Sequence, residues 1–263
     1  MRTWRKYWAI LATTVRQQWA YPWEQVLGNV FLLLILFAYS QLWRATLDGR
    51  AGFEGYSLAD LIWYLLTAEA IHLSQIRVNQ EIDREVRSGD IAYRLNRPVN
   101  YLLYYFAEFL GRGVVRLAVI LVAGGTVAWL LVGPPPWVAA SLPAVLLAVL
   151  FSHMVSFCIN SSIGLLAFWI EDTTGPFLLV DRLRMILGGL LMPLEVFPAF
   201  IAGIARWLPF QYLIYGPARL SLVYSPQAAL DLYRHQLLWL AVFGGILALV
   251  YSRGVREVSV SGG

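Results

Sequence analysis

Lysine is almost missing from this chain: of 20 basic residues only Lys6 is a lysine, and all the others are arginine. A phosphate-cradling loop ends in Gly-Lys-Ser or Gly-Lys-Thr, and Lys6 follows Arg5, so the chain does not bind ATP through a P-loop. Cysteine is as scarce. Cys158 stands alone inside an apolar run, which excludes an intrachain disulfide and a cysteine-rich metal site. His72, His153 and His235 are far apart, none at helical spacing from another His or Cys, so a buried neutral imidazole is expected of each rather than a metal ligand. There is no HExxH helix and no GxSxG elbow. Neither an enzymatic constellation nor a bound cofactor is expected in this chain. Charged residues make up only 14%, and the net charge of +4 is scattered along the edges of apolar runs rather than gathered in a patch, which gives nucleic-acid binding no support.

What is present is apolar surface. Hydrophobic residues reach 59% and the mean hydropathy is +0.62, against roughly 45–50% apolar residues in a soluble domain. The expected fold is an all-α polytopic membrane protein forming one transmembrane domain over residues 1–263. Arg2, Arg5 and Lys6 precede an apolar stretch that Thr13, Thr14 and Arg16 break before a signal-peptide core forms, so the amino terminus is expected to be retained. Trp4, Trp8, Leu11, Val15 and Trp19 recur at helical spacing with cations elsewhere on the wheel, which predicts a helix in the headgroup plane, tryptophans inward. Pro22 separates it from the first span.

Six crossings are expected. Span 1 runs from Gln25 to Trp43 and span 2 from Leu58 to Ile76, joined by a polar turn with Asp48, Gly49, Arg50 and Glu54. Span 3 lies within Tyr101 to Val132, a run longer than a bilayer needs, with Glu108, Arg112 and Arg116 along one face. Span 4 runs from Trp137 to Trp169, span 5 from Phe177 to Met192 with a Gly188–Gly189 pair for close helix contact, and span 6 from Gln236 to Tyr251. Between spans 5 and 6, Pro193, Pro198 and Pro209 with Glu195 and Arg206 prevent a straight helix, which predicts half-helices that dip into the outer leaflet and return.

The charged island between spans 2 and 3, NQEIDREVRSGDIAYRLNRP, cannot sit in hydrocarbon. As a helix it aligns Val78, Ile82 and Val86 on a narrow apolar stripe and sets Arg77–Glu81 and Asp83–Arg87 at the i,i+4 spacing of ion pairs. Gly89 stops it. Asp90 is then expected to cap a second short turn, Ile91 to Asn96, before Pro98. The segment reads either as a solvated loop anchored at the lipid surface or as a docking element for a soluble partner. With the amino terminus inside, thirteen cations fall on inner segments and five on outer ones, so both termini and the island are expected in the cytoplasm. Glu69 and His72 are the most interior ionisable pair. Residues at that depth are often functional, but a pair satisfying itself or facing a partner subunit accounts for them equally.

Two stretches carry a family likeness. EVRSGDIAYRLNRPVNYLLYYFAEFLGR, with Gly89, Ile91, Leu95, Arg97 and Pro98 following a G-x-L-x-R-P pattern at looser spacing, and GGLLMPLEVFPAFIAGIARWLPF resemble the two most recognisable regions of type-2 ABC exporter permeases, in the branch described as ABC-2 family transporter protein. The resemblance implies a permease that dimerises with itself or a sister permease and docks an ABC ATPase, which carries the ATP and magnesium. It implies a cytoplasmic interfacial helix over 1–22 and a coupling segment over 79–98, in which Glu81, Ile82, Arg84, Glu85, Val86, Arg87, Gly89 and Arg94 contact the ATPase, Ile82 and Val86 in its groove. It also implies an external re-entrant region over 193–235 that closes the exit around Pro193, Glu195 and Pro198. Glu69, His72, Glu108 and Arg112 remain as intramembrane polar candidates. Residence in the bacterial inner membrane follows from the same likeness. The competing reading is an ion-coupled secondary transporter using Glu69, although spans 1 to 3 and 4 to 6 show no convincing repeat; an intramembrane enzyme and a membrane scaffold stand behind it. No charged, ordered cavity is expected in the spans, which leans toward a lipidic, amphipathic or long-chain cargo.

Overall fold

The structure, a computed structural model, describes residues 2–19, 30–47, 52–53, 55–136 and 141–261. Pro22, Gln25, the polar-turn residues Asp48, Gly49, Arg50 and Glu54, and Trp137 lie outside them. Among the described residues the chain is all-helical and no strand occurs. The helices are α1 (Arg2–Trp19), α2 (Val30–Leu47), α3 (Leu58–Leu73), α4 (Val78–Ser88), α5 (Asp90–Leu95), α6 (Tyr101–Val132), α7 (Leu142–Leu165), α8 (Thr174–Leu187), α9 (Ala199–Arg206), α10 (Phe210–Leu213), α11 (Tyr215–Leu222) and α12 (Pro226–Ser261). Short 3₁₀ turns follow α7 at Leu166–Phe168 and precede α9 at Leu194–Val196.

A helix that is apolar on every face belongs in an interior, and α3 is such a helix. Every residue from Leu61 to Ile71 is buried, with α2, α6 and α11 packed around it. A capping box starts it: the Asp60 amide donates to Ser57 Oγ at 3.2 Å and the Ser57 amide donates to Asp60 Oδ2 at 2.9 Å. At 16 residues it is about 24 Å long, short of the ~30 Å hydrocarbon core. The expected span to Ile76 therefore ends three residues early. Its C-cap, Ser74, is buried and shares a 3.0 Å hydrogen bond with His153 Nε2 on α7.

Among the described residues four helices are long and apolar enough to cross a membrane: α2, α6, α7 with its continuation to Phe168, and α12 as far as Glu257. The remaining two expected spans correspond to the shorter α3 and to α8, which has 14 residues. The last span is longer than expected. It begins at Pro226, ten residues before Gln236, because Ser225 Oγ accepts from the Ala228 amide at 3.1 Å and opens the helix there. Most of α12 faces outward, with Leu237, Leu238, Val242 and Leu249 exposed, while α7 takes the opposite role and is buried along most of its inner half.

At 32 residues, about 48 Å, α6 outruns any bilayer, as its sequence foretells. Asn100 caps it by accepting from the Leu103 amide at 3.0 Å, in place of Pro98. Its first turns are clad by α1. Gly111 lets the two backbones approach, since a Cβ there would meet Leu11 O at 3.1 Å and Thr14 Cβ at 3.0 Å. Lys6 Nζ donates to Pro98 O at 3.1 Å, and Tyr7 Oη accepts from the Asn100 amide at 3.1 Å. The packed face of α1 is thus Tyr7, Leu11 and Thr14, and Trp4, Trp8 and Trp19 stay exposed.

Gly188 and Gly189 allow close approach of neighbouring helices, a Cβ on Gly189 lying 3.1 Å from Tyr64 Oη of α3 and one on Gly188 3.2 Å from Phe210 O of α10. They end α8, Gly189 in the left-handed region at φ 65°. The buried Tyr64 hydroxyl donates to Gly189 O at 2.5 Å and the Tyr215 amide to Gly188 O at 3.0 Å, so α3 and α11 clamp the turn that leads into the proline-broken region.

Candidate functional site

The charged island folds as two short helices joined at Gly89, whose φ of 78° permits the left-handed turn. Asp90 does not cap α5. It is the first helical residue, and its carboxylate accepts from Ser88 Oγ at 2.8 Å.

The apolar stripe of α4 faces inward. Val78 and Ile82 are 2% and 0% exposed and pack with Phe157, Cys158 and Leu165 of α7, with Val86 against the same cluster. The crossing is closest at Gly164, where a Cβ would lie 2.7 Å from Asn79 O and 3.0 Å from Ile82 Cβ. Ile82, expected in a partner's groove, is thus covered by α7 in this structure, while Val86 is half-buried against the same cluster. A stripe too narrow for two surfaces is already committed to α7.

The acidic residues of α4 hold it to three other segments. Asp83 and Arg87 pair as expected, at 2.8 and 3.0 Å, and Asp83 Oδ1 also accepts from Thr173 Oγ1 at 2.7 Å in the loop before α8. Arg77 and Glu81 do not pair. Glu81 bonds Arg112 of α6 at 2.5 Å, and the Arg77 guanidinium sits over the Phe177 ring at 5.7 Å. Glu108 binds the other arm of Arg112. Glu85, only 8% exposed, pairs with Arg94 of α5 at 2.5 Å and accepts from Tyr101 Oη of α6 at 3.0 Å. Arg94 also stacks over Tyr104 and Tyr105. The elbow is therefore braced from beneath. Its outer face presents Gln80, Arg84, Arg87, Ala92 and Arg97, with Tyr93 68% exposed.

Arg87 holds the Asp83 carboxyl below the usual carboxylate range by hydrogen bonding, with Thr173 adding to it. A carboxyl depressed in the folded state contributes stability that is present above its unfolded pKa, about 3.9, and lost as pH falls through the folded value. The apparent melting temperature of the purified chain is therefore expected to fall below about pH 4, and Asp83→Asn to flatten part of that decline. Identical acid profiles for the two proteins would exclude this role.

Two further sets were expected. At the proline-broken region, Glu195 Oε1 accepts from Tyr215 Oη at 2.5 Å and lies 3.0 Å from Arg219 Nε, so the turn between Pro193 and Pro198 is tied to α11. Glu69 and His72 share one helix but do not meet. Among the described residues no hydrogen bond or ion pair reaches the Glu69 carboxylate, and His72 Nδ1 is buried without a partner. A polar cavity of about 540 Å³ opens where α1, α3, α4, α6, α7 and α8 converge, lined in part by His72, Glu81, Arg112 and Arg184. The expectation of no charged, ordered cavity is overturned. Its lining comes from six helices remote in sequence, and the isolated polar residues Asn160, Asp181 and Arg184 were its sequence signal. Sequence reasoning also missed Gln236 of α12, whose buried amide donates to Ala148 O, Ser152 Oγ and Tyr212 O at 3.0, 3.1 and 2.9 Å.

Several long apolar helices around a fully buried one define a multi-pass membrane protein, with the charged elbow as its main polar projection. The chain matches the model of the ABC-2 family transporter protein over residues 30–262 and belongs to that family, whose members are transport components of the membrane. It is also similar to the protein named "Putative transport permease YvfS" of Bacillus subtilis (strain 168), at 23% identity over 197 residues covering 71% of this chain and 76% of that protein.

Proposed function

We propose that this chain is the permease subunit of an ABC transporter whose separate ATPase subunit binds ATP and magnesium and docks on α4 and α5. In this reading the chain crosses the plasma membrane six times, with α3 and α8 as the short second and fifth crossings. Both termini and the coupling segment 79–98 are cytoplasmic, residues 1–22 form the interfacial helix, and 193–235 form the external re-entrant region. A second permease, a copy or a sister chain, completes the pathway, and the cargo is exported. Its lipidic, amphipathic or long-chain character is supported by the lipid-level tryptophans of α1 and the outward apolar face of α12.

One observation carries the coupling role. The elbow is anchored on its inner side to α6 and α7 through Glu81–Arg112, Glu85–Tyr101 and the Ile82 packing, while its outer side is left to a partner. Force applied to Arg84 or Tyr93 passes directly into the long α6. Arg84→Glu and Tyr93→Ala are expected to leave the purified permease folded and to reduce permease-stimulated ATP hydrolysis about tenfold, as loss of an interfacial arginine or aromatic does. Full stimulation in both variants would reject this docking face. The buried, unpartnered Glu69 supports ion-coupled transport as a second reading. Proton-driven, ATP-independent cargo movement abolished by Glu69→Gln would establish it in place of the first.

A further inference from the structure

The cavity beside α4 has far more positive than negative charge on its walls. Five guanidinium groups line it, from Arg77, Arg84, Arg112, Arg116 and Arg184, against the two carboxylates of Glu81 and Asp181. The carboxylates are already engaged. Arg112 bridges Glu81 and Glu108, and Arg184 lies 3.5 Å from Asp181 while also bonding Gln75 and Asn160. Among the described residues Arg77, Arg84 and Arg116 have no carboxylate within ion-pair distance, Arg77 lying over the Phe177 ring and Arg116 reaching Leu73 O at 3.5 Å. Three guanidinium groups without a carboxylate partner around one partly enclosed space favour an anion among them.

The buried floor has a matching vacancy in its hydrogen bonding. Gln75, 8% exposed, gives its carbonyl oxygen to Arg184 and leaves Nε2 as a donor without an acceptor. A buried donor left unmade costs free energy, and because Gln75 lines this cavity a ligand oxygen reaching its amide would supply the missing acceptor. Guanidinium forks combined with an amide donor fit a tetrahedral oxyanion, which offers several acceptor oxygens at once, better than a spherical halide. The volume of about 540 Å³ is that of a ligand site and exceeds the needs of a single ion.

We propose that this cavity is a binding site for a phosphate group, carried on a lipid headgroup or as free phosphate, gripped by Arg77 and Arg116 with the Gln75 amide beneath. The site goes beyond the coupling role and is independent of any ATPase. Gln18 of α1 lines the same cavity, on the helix that exposes Trp4, Trp8 and Trp19, so a headgroup entering at the lipid interface has a direct approach.

The test is native mass spectrometry of the purified permease, without ATPase, titrated with dioleoyl phosphatidic acid or with dioleoylglycerol, which lacks the phosphate. Saturable binding of phosphatidic acid but not dioleoylglycerol is expected, weakened about tenfold or more in Arg77→Gln and in Arg116→Gln, each a lost charge-assisted bond. Arg234→Gln, at an exposed ion pair with Asp231 far from the cavity, is expected to bind as the parent does. Competition by inorganic phosphate identifies the shared chemistry, and binding of inorganic phosphate alone, without the lipid, assigns the site to the free anion. Equal binding of both lipids, or affinity unchanged in both arginine variants, would overturn the proposal. Because Arg77 and Arg116 are exposed, their variants are expected to elute from size exclusion as the parent does; misfolding of one leaves the other as the test.

Discussion

Ile82→Asp is expected to release α4 from α7 and to be the most damaging single substitution on the elbow. Ile82 has no solvent contact and is surrounded by apolar groups of α7 and α6, among them Phe157, Leu165 and Tyr105. A carboxylate placed there finds no cation within the cluster, so it is either buried unpaired or drives the helix outward. The expected loss exceeds about 4 kcal/mol, the range reserved for unpaired buried charge. Arg84→Glu, on the opposite face of the same helix, is expected to change stability by no more than about 0.5 kcal/mol. Thermal melting of the two variants by fluorescence-detected size exclusion gives the comparison. Equal melting temperatures would mean that the stripe does not pack on α7. The pair also separates two causes of lost ATPase stimulation: Ile82→Asp loses it through the permease's own fold, Arg84→Glu with that fold intact.

Gly164→Leu is expected to have the second-largest effect, by the same interface approached from the other helix. The first added atom already falls 2.7 Å from a backbone carbonyl oxygen of Asn79, closer than any real Cβ contact, and backbone cannot rotate away as a side chain can. Overpacking of this kind costs typically ~1–3 kcal/mol, and more where backbone must shift. Gly164→Ala is expected to fall between the parent and Gly164→Leu, because it adds only that first atom. A compensating Ile82→Ala is expected to rescue little, since the overlap is with Asn79 backbone and with the Ile82 Cβ, which alanine keeps. Melting temperatures in the order parent, Ala, Leu support the close crossing, and a Gly164→Leu variant as stable as the parent would disprove it.

Much of this architecture was legible in the chain. Helical periodicity placed α1, α4 and α6 and the break at Gly89, because each depends on spacing within one segment. The Asp83–Arg87 pair was readable for the same reason, being one turn apart. Arg77–Glu81 has the same spacing and failed, because Glu81 has a better-placed cation in Arg112, 31 residues away in sequence. Glu69–His72 failed likewise: the spacing allowed contact, but the surroundings turned His72 toward the cavity and left the Glu69 carboxyl to itself. The overestimated lengths of the expected spans 2 and 5 have a related cause. Hydropathy counts apolar residues and cannot tell a helix clad by protein from one clad by lipid, so α3 read as a full span.

The amino-acid sequence alone determined that the chain is helical, lives in a membrane and interrupts its apolar runs with a charged elbow, since composition and periodicity are local properties. Only the tertiary structure decided which face of that elbow is free, and that five arginines from three helices and the turn before α4 meet around one cavity. Both outcomes depend on which helices become neighbours, and that is fixed by close packing at Gly111 and Gly164 between residues tens to nearly a hundred positions apart, a distance over which no pattern along the chain carries information.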